Sequence, residues 1–220
     1  MSSFSIFIAR PAIRAHTSTI AELRAAGVLR FTLAAQFITV IMLAASMAPG
    51  YDVSGGAISD LGVIEETSLV FNVSLVLVGV LNVAGGWLFA MAHGRAVVLA
   101  LFVVGGVGAI GAGLFPLDSG GPHGLFALVA FLAFNLQALA VASVVTGPMR
   151  VLSLLAGVVG LVFVGMMVLG DGGNAGAFRP IGHGGTERMI VYPAMLWLLA
   201  LGGSLMAARD DGASIVRSPR

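Results

Sequence analysis

The sequence predicts an all-α membrane protein, a polytopic bundle of six transmembrane helices with both termini cytoplasmic. Three observations carry this. Apolar residues make up 58% of the chain and charged residues 10%, and mean hydropathy is +1.03, which suits a bilayer and not a soluble domain. Six apolar runs, at about 28–48, 68–91, 96–115, 123–146, 151–170 and 187–208, match the roughly 20 residues that cross the hydrocarbon layer at 1.5 Å rise. The basic residues, all arginine, are segregated: Arg10, Arg14, Arg24, Arg30, Arg95, Arg150, Arg209, Arg217 and Arg220 fall on one side of a six-span arrangement, with only Arg179 and Arg188 on the other. The positive-inside rule makes the first side cytoplasmic. A multi-pass protein of the cell membrane is expected.

The connections are short, so residues 28–208 read as one transmembrane domain, flanked by a cytoplasmic arm (1–27) and a cytoplasmic tail (209–220). The arm holds an apolar patch too short to span and then arginines, as in a segment lying on the lipid surface. A cleaved signal peptide competes with this, because Ala44-Ala45-Ser46-Met47-Ala48 has the small residues of a cleavage site. The apolar stretch before it is long for a signal peptide, which favours a retained helix. There is no cysteine, which excludes disulfides and thiolate metal sites. Net charge is +1 with no basic stripe, so nucleic acid is not an expected partner.

Taken in order, the first run carries Gln36 at depth and ends at Pro49. The loop 49–67 contains Ala-Ile-Ser-Asp-Leu-Gly (57–62), with Ser59 and Asp60, and then Glu65, Glu66 and Thr67, whose carboxylates and hydroxyl suit the positive N-terminus of the second helix. The second run carries Asn72 near the acidic side and Asn82 deeper, and His93 lies at its cytoplasmic end, where it and His16 are expected to be solvated. In the third run, Gly106, Gly108 and Gly111 match G-x-G-x-x-G. That fingerprint binds nucleotides only in a strand-to-helix turn, so within a spanning helix Gly105, Ala109 and Gly113 serve close helix approach instead. The fourth run follows Asp118 and His123 and carries Asn135 and Gln137. The fifth, 151–170, has no charge. Before the sixth stands Ile-Gly-His-Gly-Gly-Thr-Glu-Arg (181–188), with Thr186 as an expected N-cap, and Pro193 is expected to bend that helix near its outer end.

No Asp, Glu, Arg or His lies in the middle of a predicted span, which argues against a coupled pump or secondary transporter. The deep amides are expected to make interhelical hydrogen bonds. The groups able to do chemistry gather in the outer loops: Ser59, Asp60, Asp118, His123, His183, Glu187 and Arg188. If these loops converge, Asp60, His123 and His183 suit zinc or another divalent metal, with Glu187 as base or hydrogen-bond partner. The structural alternative pairs the carboxylates with Arg179 and Arg188 and has His123 hydrogen-bonding near Pro122. A bis-histidine haem would need His123 and His183 at one depth. The sequence further predicts that the 57–62 segment folds inward over the bundle mouth, with Asp60 against Arg188, Arg179 or His123 and with Glu65 and Glu66 nearer water.

Ile58-Ser59-Asp60-Leu61-Gly62 before the second helix, Phe71-Asn72 at its start, Gly113-Leu114-Phe115-Pro116 ending the third, a His at the start of the fourth and Gly-x-x-Glu-Arg before the sixth resemble the prokaryotic membrane family called domain of unknown function 998. The resemblance covers about residues 28–208. In its first outer loop that family is similar to the FRAG/DRAM/Sfk group, whose members are associated with lipid remodelling, lipid distribution and autophagy. The resemblance implies that Ser59, Asp60, Asn72, Pro116, His123, Glu187 and Arg188 are the residues of interest. A likeness to the ceramidase and progestin-receptor superfamily is partial, because two outer histidines are present and a third is missing. Two expectations follow. In the first, an outer-face pocket with Asn72, His123, His183 and Arg188 recognises membrane lipid or a membrane-protein partner and needs no cofactor. In the alternative, Ser59, Asp60 and Glu187 serve a metal-dependent lipid hydrolase or transferase, with metal on Asp60, His123 and His183.

Overall fold

The computed structural model describes residues 10–208, with side chains from residue 20 onward. Six long helices form: α1 (Arg10–Met47), α2 (Ser68–His93), α3 (Ala96–Leu114), α4 (Gly121–Val141), α5 (Gly147–Asp171) and α6 (Gly182–Met206). Each is long and apolar enough to cross a membrane, and no strand occurs among the described residues. Local chemistry sets the boundaries. Gly94, at φ 68°, closes α2 in the left-handed conformation that favours glycine, and a proline occupies the first turn of both α4 and α5, where its missing N–H costs nothing.

Helix α1 starts well before residue 28. Ile20, Leu23 and Ala26 are buried, and Arg24 donates from Nε and Nη2 to the Ala208 carbonyl at 3.1 and 2.8 Å. Residues 20–27 therefore belong to the bundle and not to a separate arm. His16, Arg10, Arg14 and the tail 209–220 lie outside the residues whose side chains are described.

Each helix packs on its neighbour in the chain, and α6 packs back on α1, so the six close into a ring. α4 also touches α6 directly, which leaves α5 on the outside of that pair. The connections α1–α2, α3–α4 and α5–α6 share one end, here called the acidic end; the other is the arginine end. Lipid supplies no hydrophobic drive between spanning helices, so packing and interhelical hydrogen bonds hold them. The deep amides make those bonds as expected. Ser74 Oγ donates to Gln36 Oε1 at 2.7 Å between α2 and α1. Asn82 reaches the Phe102 carbonyl on α3 at 2.9 Å, Gln137 the Leu101 carbonyl at 3.2 Å, and Asn135 the Ile190 carbonyl on α6 at 3.3 Å. Trp197 Nε1 donates to Ser153 Oγ at 2.8 Å, joining α6 to α5. The glycines of α3 serve contact: a Cβ on Gly106 would meet the Gly79 carbonyl, and one on Gly79 the Gly106 carbonyl.

Two residues near the arginine end depart from expectation. Arg30 sits fully buried inside α1, with Nη2 donating to the Gly85 carbonyl at 3.1 Å and its guanidinium 3.9 Å from the Phe102 ring centroid and 5.2 Å from that of Phe89. His93 is 3% exposed and not solvated: its ring stands edge-on to Phe89 at 4.6 Å, and Nδ1 accepts the Arg95 N–H at 2.9 Å. Because the span runs from Ile20 to Met47, Arg30 stands well inside it instead of at its start.

Candidate functional site

The acidic end is organised by the loop between α1 and α2, whose residues Ile58–Gly62 form a single 3-10 turn. Asp52 begins it by accepting the N–H groups of Ser54 at 3.0 Å and Gly55 at 2.8 Å, a local turn typical of Asp. Ala57, Ile58, Leu61 and Gly62 are buried, so the segment does fold inward, while Glu65 and Glu66 stay exposed as expected. Thr67, fully buried, donates to the Leu61 carbonyl at 2.7 Å, and Asn72 Nδ2 to the Gly62 carbonyl at 2.8 Å. Asn72 thereby ties the loop to α2.

Asp60 does not meet a cation. Its Oδ2 accepts the Ala57 N–H at 2.8 Å, and the one ion pair among the described residues joins His183 and Asp171 at 3.2 Å. The reason is proximity: an amide three residues away needs no further ordering to reach, whereas an arginine across the bundle does.

The start of α6 completes the loop. The helix begins at Gly182, so Thr186 is one turn inside it and donates back to the Gly182 carbonyl at 2.9 Å instead of capping. Gly184 lies under the loop, and a Cβ there would overlap the Gly56 carbonyl. Ser54 closes the seam, its Oγ donating to the Ile181 carbonyl at 3.0 Å and its carbonyl accepting the Gly185 N–H at 3.2 Å. Arg188, 8% exposed, then gathers the loop: Nη1 donates to the carbonyls of Val53, Gly56 and Gly184 at 2.8, 3.1 and 2.9 Å, and Nη2 to Tyr51 Oη at 2.7 Å. The Tyr51 hydroxyl in turn faces the Ala57 carbonyl at 2.6 Å and the Gly56 carbonyl at 3.1 Å. Burial, the largest influence, pushes the Tyr51 phenol above its ordinary value, against the opposing pull of Arg188.

Glu187 is 5% exposed and turns its carboxylate to the start of the 3-10 turn, accepting the Ile58 N–H at 2.5 Å with the Ser59 amide also directed at it. These are amides that the short helix leaves without internal partners. Carboxylate pairing with Arg179 or Arg188 is therefore replaced by backbone capping, with Arg188 spent on carbonyls.

Glu187, Ser59 and His123 line one end of a cavity between α1, α2, α3, α4 and α6. The walls are Phe37, Phe71, Leu75, Val78, Ala109, Ala112, Ala130, Phe131, Phe134, Ile190, Val191, Ala194 and Met195, with Asn135 alone adding polarity. Its volume is about 70 Å³, against the ~10–15 Å³ that one water needs. His123, 4% exposed, is oriented by Nδ1 against the Phe115 carbonyl at 2.8 Å, close to the structural role expected near Pro122. A carbonyl only accepts, so Nδ1 carries a proton, and in the neutral ring Nε2 is left as an acceptor.

The sequence-predicted residues thus divide. Ser59, His123 and Glu187 converge on the cavity. Asp60, Asn72 and Arg188 build the loop above it. His183 turns away, pairing with Asp171 and standing edge-on to Phe178 at 4.9 Å. Among the described residues no three His, Asp or Glu side chains gather as a metal site requires, so Asp60, His123 and His183 are not brought together. Sequence reading missed the apolar cavity, Tyr51, and the burial of Arg30 and His93. No curated protein and no solved structure matches the chain. The model of the family described as protein of unknown function (DUF998) matches residues 33–204, and the chain belongs to that family.

Proposed function

We propose that this membrane protein recognises a membrane lipid, taking an acyl chain into the central cavity with its polar end at Ser59, His123 and Glu187. The observation that carries the reading is the polarity gradient of the cavity: aromatic and aliphatic walls, with three hydrogen-bonding side chains collected at one end. An apolar cavity of this kind is dry and takes apolar guests, and a few convergent polar groups orient them. With the arginine end cytoplasmic, the polar end faces the outer leaflet.

The test is native mass spectrometry with lipid extraction on protein purified in a lipid-compatible medium. Bound lipid is expected for the unaltered protein and lost from Ala130→Phe, which fills the cavity from α4. Lipid retained at the same stoichiometry in a folded Ala130→Phe protein, or none in either protein, overturns the reading.

A further inference from the structure

The polar end of the cavity is rich in hydrogen-bond acceptors. Glu187 is the acidic side chain that lines it, and among the described residues no Lys or Arg does. The nearest candidate cation, Arg188, has both terminal nitrogens engaged with Tyr51, Val53, Gly56 and Gly184. His123 offers Nε2 as an acceptor, because Nδ1 is held by the Phe115 carbonyl. Asn135 presents no spare donor, with Nδ2 given to the carbonyls of Phe131 at 2.8 Å and Ile190 at 3.3 Å. Ser59 contributes a hydroxyl that serves either way.

We infer that the ligand is a single-chain amphiphile with a hydrogen-bond-donating head, an ammonium ahead of a hydroxyl, and that anionic heads are rejected. This rests on the reading of the cavity as a lipid site and names the head group it selects. An ammonium beside Glu187 makes a charge-assisted hydrogen bond and favours the ionised carboxylate. A carboxylate or phosphate head would instead meet an acidic side chain and acceptors, with no cation among the described lining residues to offset its charge. The chain is single because the space, about 70 Å³ and walled by Phe37, Phe71 and Phe134, admits one slender tail.

The experiment uses three probes with the same tail, dodecylamine, dodecanol and dodecanoate, added to the full chain in nanodiscs and scored by displacement of co-purified lipid. The order expected is amine, alcohol, carboxylate, with the carboxylate at least about tenfold weaker than the amine, the low end for a hydrogen bond to a charged group. Glu187→Gln keeps an acceptor for the Ile58 amide and is expected to bring the amine down to the level of the alcohol. Ala130→Phe, with its thermal stability checked, should block all three. Dodecanoate binding as well as the amine, or an amine preference that survives Glu187→Gln, overturns the head-group inference and leaves the lipid site standing. Failure of all three probes in the unaltered protein removes the lipid reading itself.

Discussion

Replacing Arg188 by Met strips the hydrogen-bonded centre from the loop between α1 and α2 while keeping most of the side-chain volume. Four bonds disappear, and they are not equivalent. The Gly184 carbonyl is a helical acceptor one turn away, and Val53 is exposed, so water replaces the arginine there. The Gly56 carbonyl keeps the Tyr51 hydroxyl but loses a charged donor, and the 2.7 Å bond to Tyr51 is lost outright. Two charge-assisted bonds at about 1.5 kcal/mol each give about 3 kcal/mol, roughly a hundredfold in the opening equilibrium of the loop. Hydrogen exchange read by mass spectrometry on peptides covering residues 51–58 should accelerate by about that factor, with the α2–α3 interface unchanged. Arg188→Lys keeps the charge but not the planar fork that reaches Tyr51 and the carbonyls together, and should fall between the two. Equal exchange in Arg188→Met and the unaltered protein would refute the argument that this guanidinium holds the loop down.

Three further outcomes are expected. Asp60→Asn retains an oxygen for the Ala57 amide and should change thermal stability by less than about 0.5 kcal/mol, whereas Asp60→Ala loses a cap-like bond and should cost about 1 kcal/mol; equal losses in chemical denaturation would contradict this. The Tyr51 phenol is raised by burial, so its contribution is fully present below the unfolded pKa near 10 and lost as pH rises through the still higher folded value; in a Tyr192→Phe background, ultraviolet titration should place phenolate formation above that of a free tyrosine and coincident with loop opening. Arg30→Met exchanges a buried charge that has no carboxylate partner within ion-pair reach among the described residues for an apolar side chain of similar length and should be neutral or stabilising by about 1–4 kcal/mol in thermal melts, while a marked loss of stability would show that the charge is needed where it stands.

The six spans were legible because spanning helices must satisfy their own backbone, which makes long apolar runs the dominant signal. The bonding of Gln36, Asn82, Asn135 and Gln137 was legible for the same reason, since a deep amide has few partners besides a neighbouring helix. What escaped was the burial of charged side chains at core positions. Arg30 lies on the buried face of α1 in step with Leu23, Ala26, Leu33, Phe37, Ile41 and Ala44, and Glu187 stands in step with Ile190, Val191, Ala194, Leu198, Leu201 and Leu205. Helical spacing of three and four placed both on an interior stripe, a signal that charge alone obscured. His93 continues the stripe of Asn82, Gly86 and Phe89 in the same way. The Asp60 error has another source, because sequence offers no measure of distance by which a local amide outcompetes a remote arginine. The cavity was hidden because it arises from the arrangement of five helices, each of which reads only as apolar.

The closure of α6 against α1 imposes an order on assembly. A ribosome delivers α1 and its loop long before Glu187, Arg188 and the glycine step at residue 184 exist, so the 51–62 segment has neither its amide acceptor nor its carbonyl donor while α2 to α5 enter the lipid. Arg30 can be enclosed early, since its contacts come from α2 and α3. The polar end of the cavity is built last. The complete cavity therefore comes into being in one step when α6 arrives, and an intermediate lacking that helix would present an open mouth with a loop free to move.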